Sequence, residues 1–161
     1  MAKKLPTAEE FGLMIHGLVG EKVNVTEGAP VSWDEDDGCC GAVYVRTDRE
    51  KVGAVVLADF PLMVNAGAAL TITPAKVAQE CIASKNCEGH IAEAFGEILN
   101  ITANLFNQIN KKHIKLHEVH RTKMLAPEEA QTLFRNPGER VDYEVTIPSY
   151  GTGRVSLFYP V

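Results

Sequence analysis

Between residues 88 and 111 apolar and polar positions follow the period of an α-helix. At about 100° per residue, Ile91, Phe95, Ile98, Leu99, Leu105, Phe106 and Ile109 fall on one side. Glu93, Glu97, Asn100, Asn104, Asn107, Gln108 and Lys111 project into an opposing arc of roughly 100°. The pattern predicts a helix over 88–111, anchored by its apolar stripe and turning a polar edge outward. Periodicity alone accounts for a polar face. It does not account for Gly96 or for the mid-helix asparagines, since Gly costs about 1 kcal/mol relative to Ala inside a helix. Glu97 and Asn100, at i and i+3, stand about 5 to 6 Å apart at Cβ, close enough to grip one partner group.

Thr7-Ala8-Glu9-Glu10 is a capping box ahead of Phe11, Met14, Ile15 and Leu18, which predicts a first helix ending near Gly20. Val23 to Thr26 alternates weakly. Gly41 to Thr47 and Val52 to Asp59 are rich in β-branched residues and separated by Asp48-Arg49-Glu50-Lys51, the pattern of a hairpin of central strands. Phe60 to Leu70 is apolar throughout with Gly67 inside; it fits a buried short helix or irregular core, and helix is favoured. Thr73 followed by Pro74 predicts a capped helix from Pro74 to about Ser84, with a turn at Lys85-Asn86-Cys87. Pro127-Glu128-Glu129 opens another helix, to about Arg135, stopped by Asn136-Pro137-Gly138. Val141 to Ile147 and Arg154 to Tyr159 read as strands flanking a glycine-bearing turn, Tyr150-Gly151-Thr152-Gly153. No helix follows those glycines, so they do not form a phosphate loop. Strands and helices mixed in this order place the chain in the α+β class.

With 161 residues, 45% of them apolar, the chain is expected to form one domain over 1–161, without repeat or linker. Its net charge of −5 offers no basic surface to nucleic acid and no arm for a membrane surface. Glu9 and Glu10 interrupt any apolar run after the N-terminal lysines, and Asp59 and Pro61 break the longest apolar stretch, so a cytoplasmic protein is expected. Cys39, Cys40, Cys81 and Cys87 match no zinc-ribbon spacing and are expected as reduced thiols. The acidic run Asp34 to Asp37 lacks the glycine and terminal Glu of a calcium loop and reads as solvated loop. His113, His117 and His120 would form a zinc tripod on a helix. The alternation of Ile114 and Leu116 with His113, Lys115 and His117 instead favours a strand, which splits them. No metal is assigned to the chain.

The order of elements and the central helix resemble the CheX and CheC family of chemotaxis phosphatases, whose long helix carries an acid or serine, three residues, Glu, two residues and Asn, followed by a proline some twenty residues on. Here Glu97-Ile98-Leu99-Asn100 matches that Glu and Asn, and Ala94-Phe95-Gly96-Glu97 is similar to the CheX form. Glu93 stands where the family usually has Asp or Ser, Asn104 where the CheX form has glycine, and Arg121 and Thr122 where a proline is expected. The first helix has no Glu-x-x-Asn, so one active helix, as in the CheX form, is the match. The resemblance implies an α/β sandwich-like fold with a mainly antiparallel sheet packed on long helices, and a homodimer through a sheet edge. It also implies a phosphatase acting on the aspartyl phosphate of a CheY-like response regulator in chemotaxis or two-component signalling. In that role Asn100 orients the attacking water, Glu97 pairs with a lysine of the regulator, and Glu93 and Asn104 contact the partner. No cofactor sits on this chain; magnesium is expected on the regulator. The alternative is a binding module of the same fold that docks a regulator or other signalling protein without hydrolysis.

Overall fold

The computed structural model describes residues 5–31, 39–48, 51–87, 89–120, 128, 132–133, 136 and 138–160. In chain order the elements are α1 (Ala8–Val19), β1 (Asn24–Glu27), β2 (Cys39–Arg46), β3 (Val52–Asp59), α2 (Phe60–Leu70), α3 (Ala75–Ser84), α4 (Gly89–Ile109), β4 (Ile114–His120), β5 (Glu139–Ile147) and β6 (Gly151–Tyr159). The strands form a six-stranded sheet in the order β1-β5-β6-β3-β2-β4. Every pairing in it is antiparallel.

Alternation along the strands sorts their side chains onto two faces. Ala42, Tyr44, Ala54, Val56, Ala58, Val145, Ile147, Leu157 and Tyr159 meet α1, α2 and α4 in the main core. Val43, Val55, Leu57 and Phe158 point the other way, beneath Val31 and Leu133. On that second face a polar clamp holds the Val31 segment down. Val31 N donates to Ser156 Oγ (2.9 Å), Ser156 Oγ donates to Asp142 Oδ1 (2.6 Å), and Arg140 donates to Asp142 Oδ1 (2.9 Å) and to Val31 O (3.2 Å).

α1 begins as its capping box requires, with Thr7 and Glu10 bonded reciprocally. α2 is the favoured helix, and its packing explains why the sequence there shows no helical period. Leu62 through Ala69 are buried on every side, between sheet, α4 and α3. Asp59 caps it, accepting from Leu62 N at 2.9 Å, and pairs with Arg154 at 3.3 Å.

Burial raises the Asp59 pKa, and its bonds from Arg154 and Leu62 oppose the rise without cancelling it. The folded state therefore holds this proton more tightly than the unfolded chain. The stabilisation linked to it is complete below about 3.9 and is lost as pH rises through the folded value. Comparing thermal midpoints of the wild type and Asp59→Asn from pH 3 to 7 is expected to show the balance moving toward the variant as pH rises.

Three local expectations are corrected. The β5–β6 turn is Pro148-Ser149-Tyr150, with the left-handed φ of 71° at Ser149, and Gly151 and Gly153 lie within β6. Gly153 serves packing: a Cβ there would sit 2.5 Å from Leu62 backbone atoms. The N-cap of α3 is Pro74, without a side-chain cap bond, because the Thr73 hydroxyl is engaged by Thr71 (2.7 Å) and His90 (3.1 Å). α4 starts at Gly89 and stops at Ile109, short of residue 111, because Asn107 exchanges two bonds with the Ile114 backbone and turns the chain into β4. The acidic run 34–37 and residues 121 and 122 lie outside the described residues, as does most of the 127–135 helix.

Candidate functional site

α4 stands on three supports. Gly67 of α2 lets the helices approach until a Cβ would lie 2.2 Å from Ile91 O. Phe95, Ile98, Leu99 and Phe106 enter the main core. Beneath the helix, Tyr44 of β2 donates its hydroxyl to Leu99 O at 2.5 Å and packs its ring against Phe106, 5.9 Å between centroids. Burial pushes the Tyr44 hydroxyl pKa far up, so it stays a donor at any working pH. Tyr44→Phe would leave the apolar contacts and delete one buried hydrogen bond. It is expected to lower stability by about 1 kcal/mol in urea denaturation.

These supports fix the outward edge. Glu93, Glu97, Asn100 and Asn104 are all exposed, and none of them bonds or pairs with another described residue. Asn107, on the same predicted edge, differs: it is half-buried and spent on Ile114. A Cβ on Gly96 would meet nothing within 4 Å, so a strip of bare helix runs beside Glu97.

The arrangement offers carboxylates for a cationic partner and an amide that both donates and accepts. The four side chains stand exposed on the outer surface of α4. The hollow of about 430 Å³ lined by Val52, Leu133 and Pro160 is formed by other elements, and so is the hollow of about 430 Å³ lined by Pro6, Arg140 and Tyr143. A macromolecular surface suits such an edge better than a small molecule does.

β4 forms as a strand, but it does not separate all three histidines as the alternation predicted. His113 precedes the strand, while a bulge at His117, opposite Val43 and Tyr44, shifts the register and brings His117 (3.5 Å) and His120 (2.7 Å) to the one Glu118 carboxylate. Among the described residues no group of three His, Cys, Asp or Glu side chains is placed to hold a metal ion. Cys40 and Cys81 are buried and Cys87 half-buried, all as free thiols. No helix among the described residues is long and apolar enough to cross a membrane.

Periodicity did not reveal the bracing of the N-terminal end of this edge. The α2–α3 turn is tied to α4 by the Thr73–His90 bond, and Tyr150 donates to Thr73 O at 2.6 Å. Ile72, at the tip of that turn, has φ 55° and is 87% exposed. The only sequence signal for it was an apolar residue between two threonines where a polar or glycine turn residue is usual.

The fold so assembled is that of CheC-like proteins and FliM middle domains. No protein-family model matches the chain, and no curated protein matches it. Solved structures do. A crystal structure of the FliM–SpeE complex from H. pylori matches with TM-score 0.70 at 11% identity, covering 96% of this chain and 82% of that one. The FliM middle domain from H. pylori matches with TM-score 0.57 at 11% identity, over 96% and 85%. A CheC-like superfamily protein from Shewanella sp. PV-4 matches with TM-score 0.57 at 8% identity, over 95% and 94%.

Proposed function

We propose that the chain is a phosphatase acting on the aspartyl phosphate of a CheY-like response regulator, in chemotaxis or two-component signalling. The observation that carries this reading is the Glu97/Asn100 pair, exposed and without internal partners on a rigidly seated helix. Aspartyl phosphate loss needs water held in line with phosphorus, and an amide can do that without acting as a base. Asn100 takes this role. Glu97 pairs with a lysine of the regulator and sets the docking register, and Glu93 and Asn104 flank the contact. This chain carries no metal in the scheme; magnesium belongs to the regulator, where it offsets phosphoryl charge.

A homodimer through a sheet edge belongs to the same reading. The support for it is that β4 pairs only with β2 among the described strands, which leaves its outer edge open.

Incubation with the phosphorylated regulator from the same cell is expected to accelerate phosphate loss. No acceleration with any regulator of that cell would rule the phosphatase out. The second reading, docking without hydrolysis, is favoured by the departures at Glu93 and Asn104 and by the FliM–SpeE complex on this fold. Capture of a phosphorylated regulator whose decay is unchanged would select it.

A further inference from the structure

Ile72 breaks two rules at once. After the last turn of α2 the chain enters the left-handed region (φ 55°), a position that glycine or asparagine fills at little cost and that a β-branched residue resists. Its side chain is also 87% exposed, the most exposed of the large apolar residues described. Neither the core nor the backbone gains from isoleucine here.

The turn is nevertheless held firmly. Ile72 N donates to Ala69 O (3.3 Å) and Thr73 N to Ala68 O (2.8 Å), and the Thr71 hydroxyl donates back to Gly67 O (3.0 Å). Thr73 is bonded to His90 of α4, and on the helical projection His90 falls within about 20° of Glu97. A strained, exposed apolar residue is thus braced against the N-terminal end of the edge that carries Glu93 and Glu97. Strain that persists in a well-supported turn points to a use for the side chain.

We propose that Ile72 is an apolar docking knob. It seats in an apolar hollow of the regulator, beside the basic groups that Glu93 and Glu97 attract, and so extends the contact of α4 onto the α2–α3 turn. The inference rests on the docking of a CheY-like regulator to the α4 edge and names a further contact of that complex. Carboxylates about one and two turns along α4 from the His90 contact of this turn fit a partner surface that is basic next to an apolar hollow, and an exposed apolar group buried at an interface contributes where a rim charge contributes little.

The test measures binding of the cell's response regulators, each loaded with beryllium fluoride and magnesium as an aspartyl phosphate mimic, to the wild type, Ile72→Asn and Ile72→Leu. Asparagine accepts the left-handed backbone, so Ile72→Asn is expected to keep or raise the thermal midpoint while weakening Kd about tenfold, or about 1.4 kcal/mol. Ile72→Leu is expected to bind within about threefold of wild type, since it preserves the apolar contact. Wild-type affinity in Ile72→Asn would overturn the knob alone, and so would a midpoint that falls, which marks a structural residue. A change in self-association with unchanged regulator binding would assign the residue to a second copy of the chain and overturn it too. A wild type that binds no regulator overturns the docking reading itself, and the knob with it.

Discussion

Gly67→Ala is expected to destabilise the protein severely, and Gly96→Ala, the same chemical change further along the helix pair, to stabilise it. The added Cβ at Gly67 would lie 2.2 Å from Ile91 O and 2.9 Å from Ile91 Cγ2, and the first of these is backbone that cannot rotate away. α2 and α4 would have to move apart. Both are packed in the main core, α2 also against β6 through Gly153, so separation opens contacts on several sides. Overpacking of this kind costs about 3 kcal/mol, a large share of the roughly 5 to 15 kcal/mol that holds a domain folded. At Gly96 the Cβ meets nothing, and removal of a helical glycine contributes about 0.5 to 1 kcal/mol. Urea denaturation followed by circular dichroism measures both. Equal effects at the two sites would show that the α2–α4 approach is looser than this packing.

The contrast also shows what the sequence could and could not say. Local signals were legible: the Thr7/Glu10 capping box set the start of α1, and the period of Ile91, Phe95, Ile98 and Leu105 set the buried side of α4. The alternation of Ile114 and Leu116 correctly preferred strand to helix for the histidine segment. Demands from elsewhere in the fold were not legible. Gly153 looked like a turn glycine because turns usually need one, yet its role is to admit Leu62, a residue far away in the chain. Thr73 looked like a helix cap, but its hydroxyl is claimed by Thr71, two residues back, and by His90 of α4, a partner that only the fold supplies. The sheet order has the same character: β6 lies beside β3 through register that neither strand encodes alone.

The candidate site divides along the same line. Exposure of Glu93, Glu97, Asn100 and Asn104 follows from helical geometry and was readable. That Asn107, a member of the same arc, is spent on the Ile114 backbone could not be read, because the use depends on where β4 begins. The Tyr44 hydroxyl under Leu99 was equally hidden, since the strand pattern gives no hint of which carbonyl a buried tyrosine hydroxyl meets. The structure thus divides one polar edge into structural and unengaged members.

Those unengaged members lead to the prediction of largest functional effect. Asn100→Ala is expected to reduce stimulated loss of regulator phosphate by about 100-fold or more, toward the regulator's own rate, because misplacing a reacting group by about 1 Å already costs that much. Asn100 is exposed and bonds to no described residue, so its loss leaves the fold intact, and Kd for the regulator is expected to stay within about threefold. Asn100→Asp sharpens the test. It keeps size and helix position but replaces the donating amide with an acceptor-only carboxylate that repels the phosphoryl group, so it is expected to be as inactive as alanine. Glu97→Lys acts on the other half of the pair. A like charge facing the regulator's lysine is expected to raise the regulator concentration needed for half-maximal rate by about tenfold or more, with the rate at saturation little changed. Exchanging that lysine for glutamate on the regulator should then restore binding. An active Asn100→Asp would show that side-chain bulk alone matters at this position. An Asn100→Ala that loses binding and rate together would assign the residue to docking and not to the attacking water.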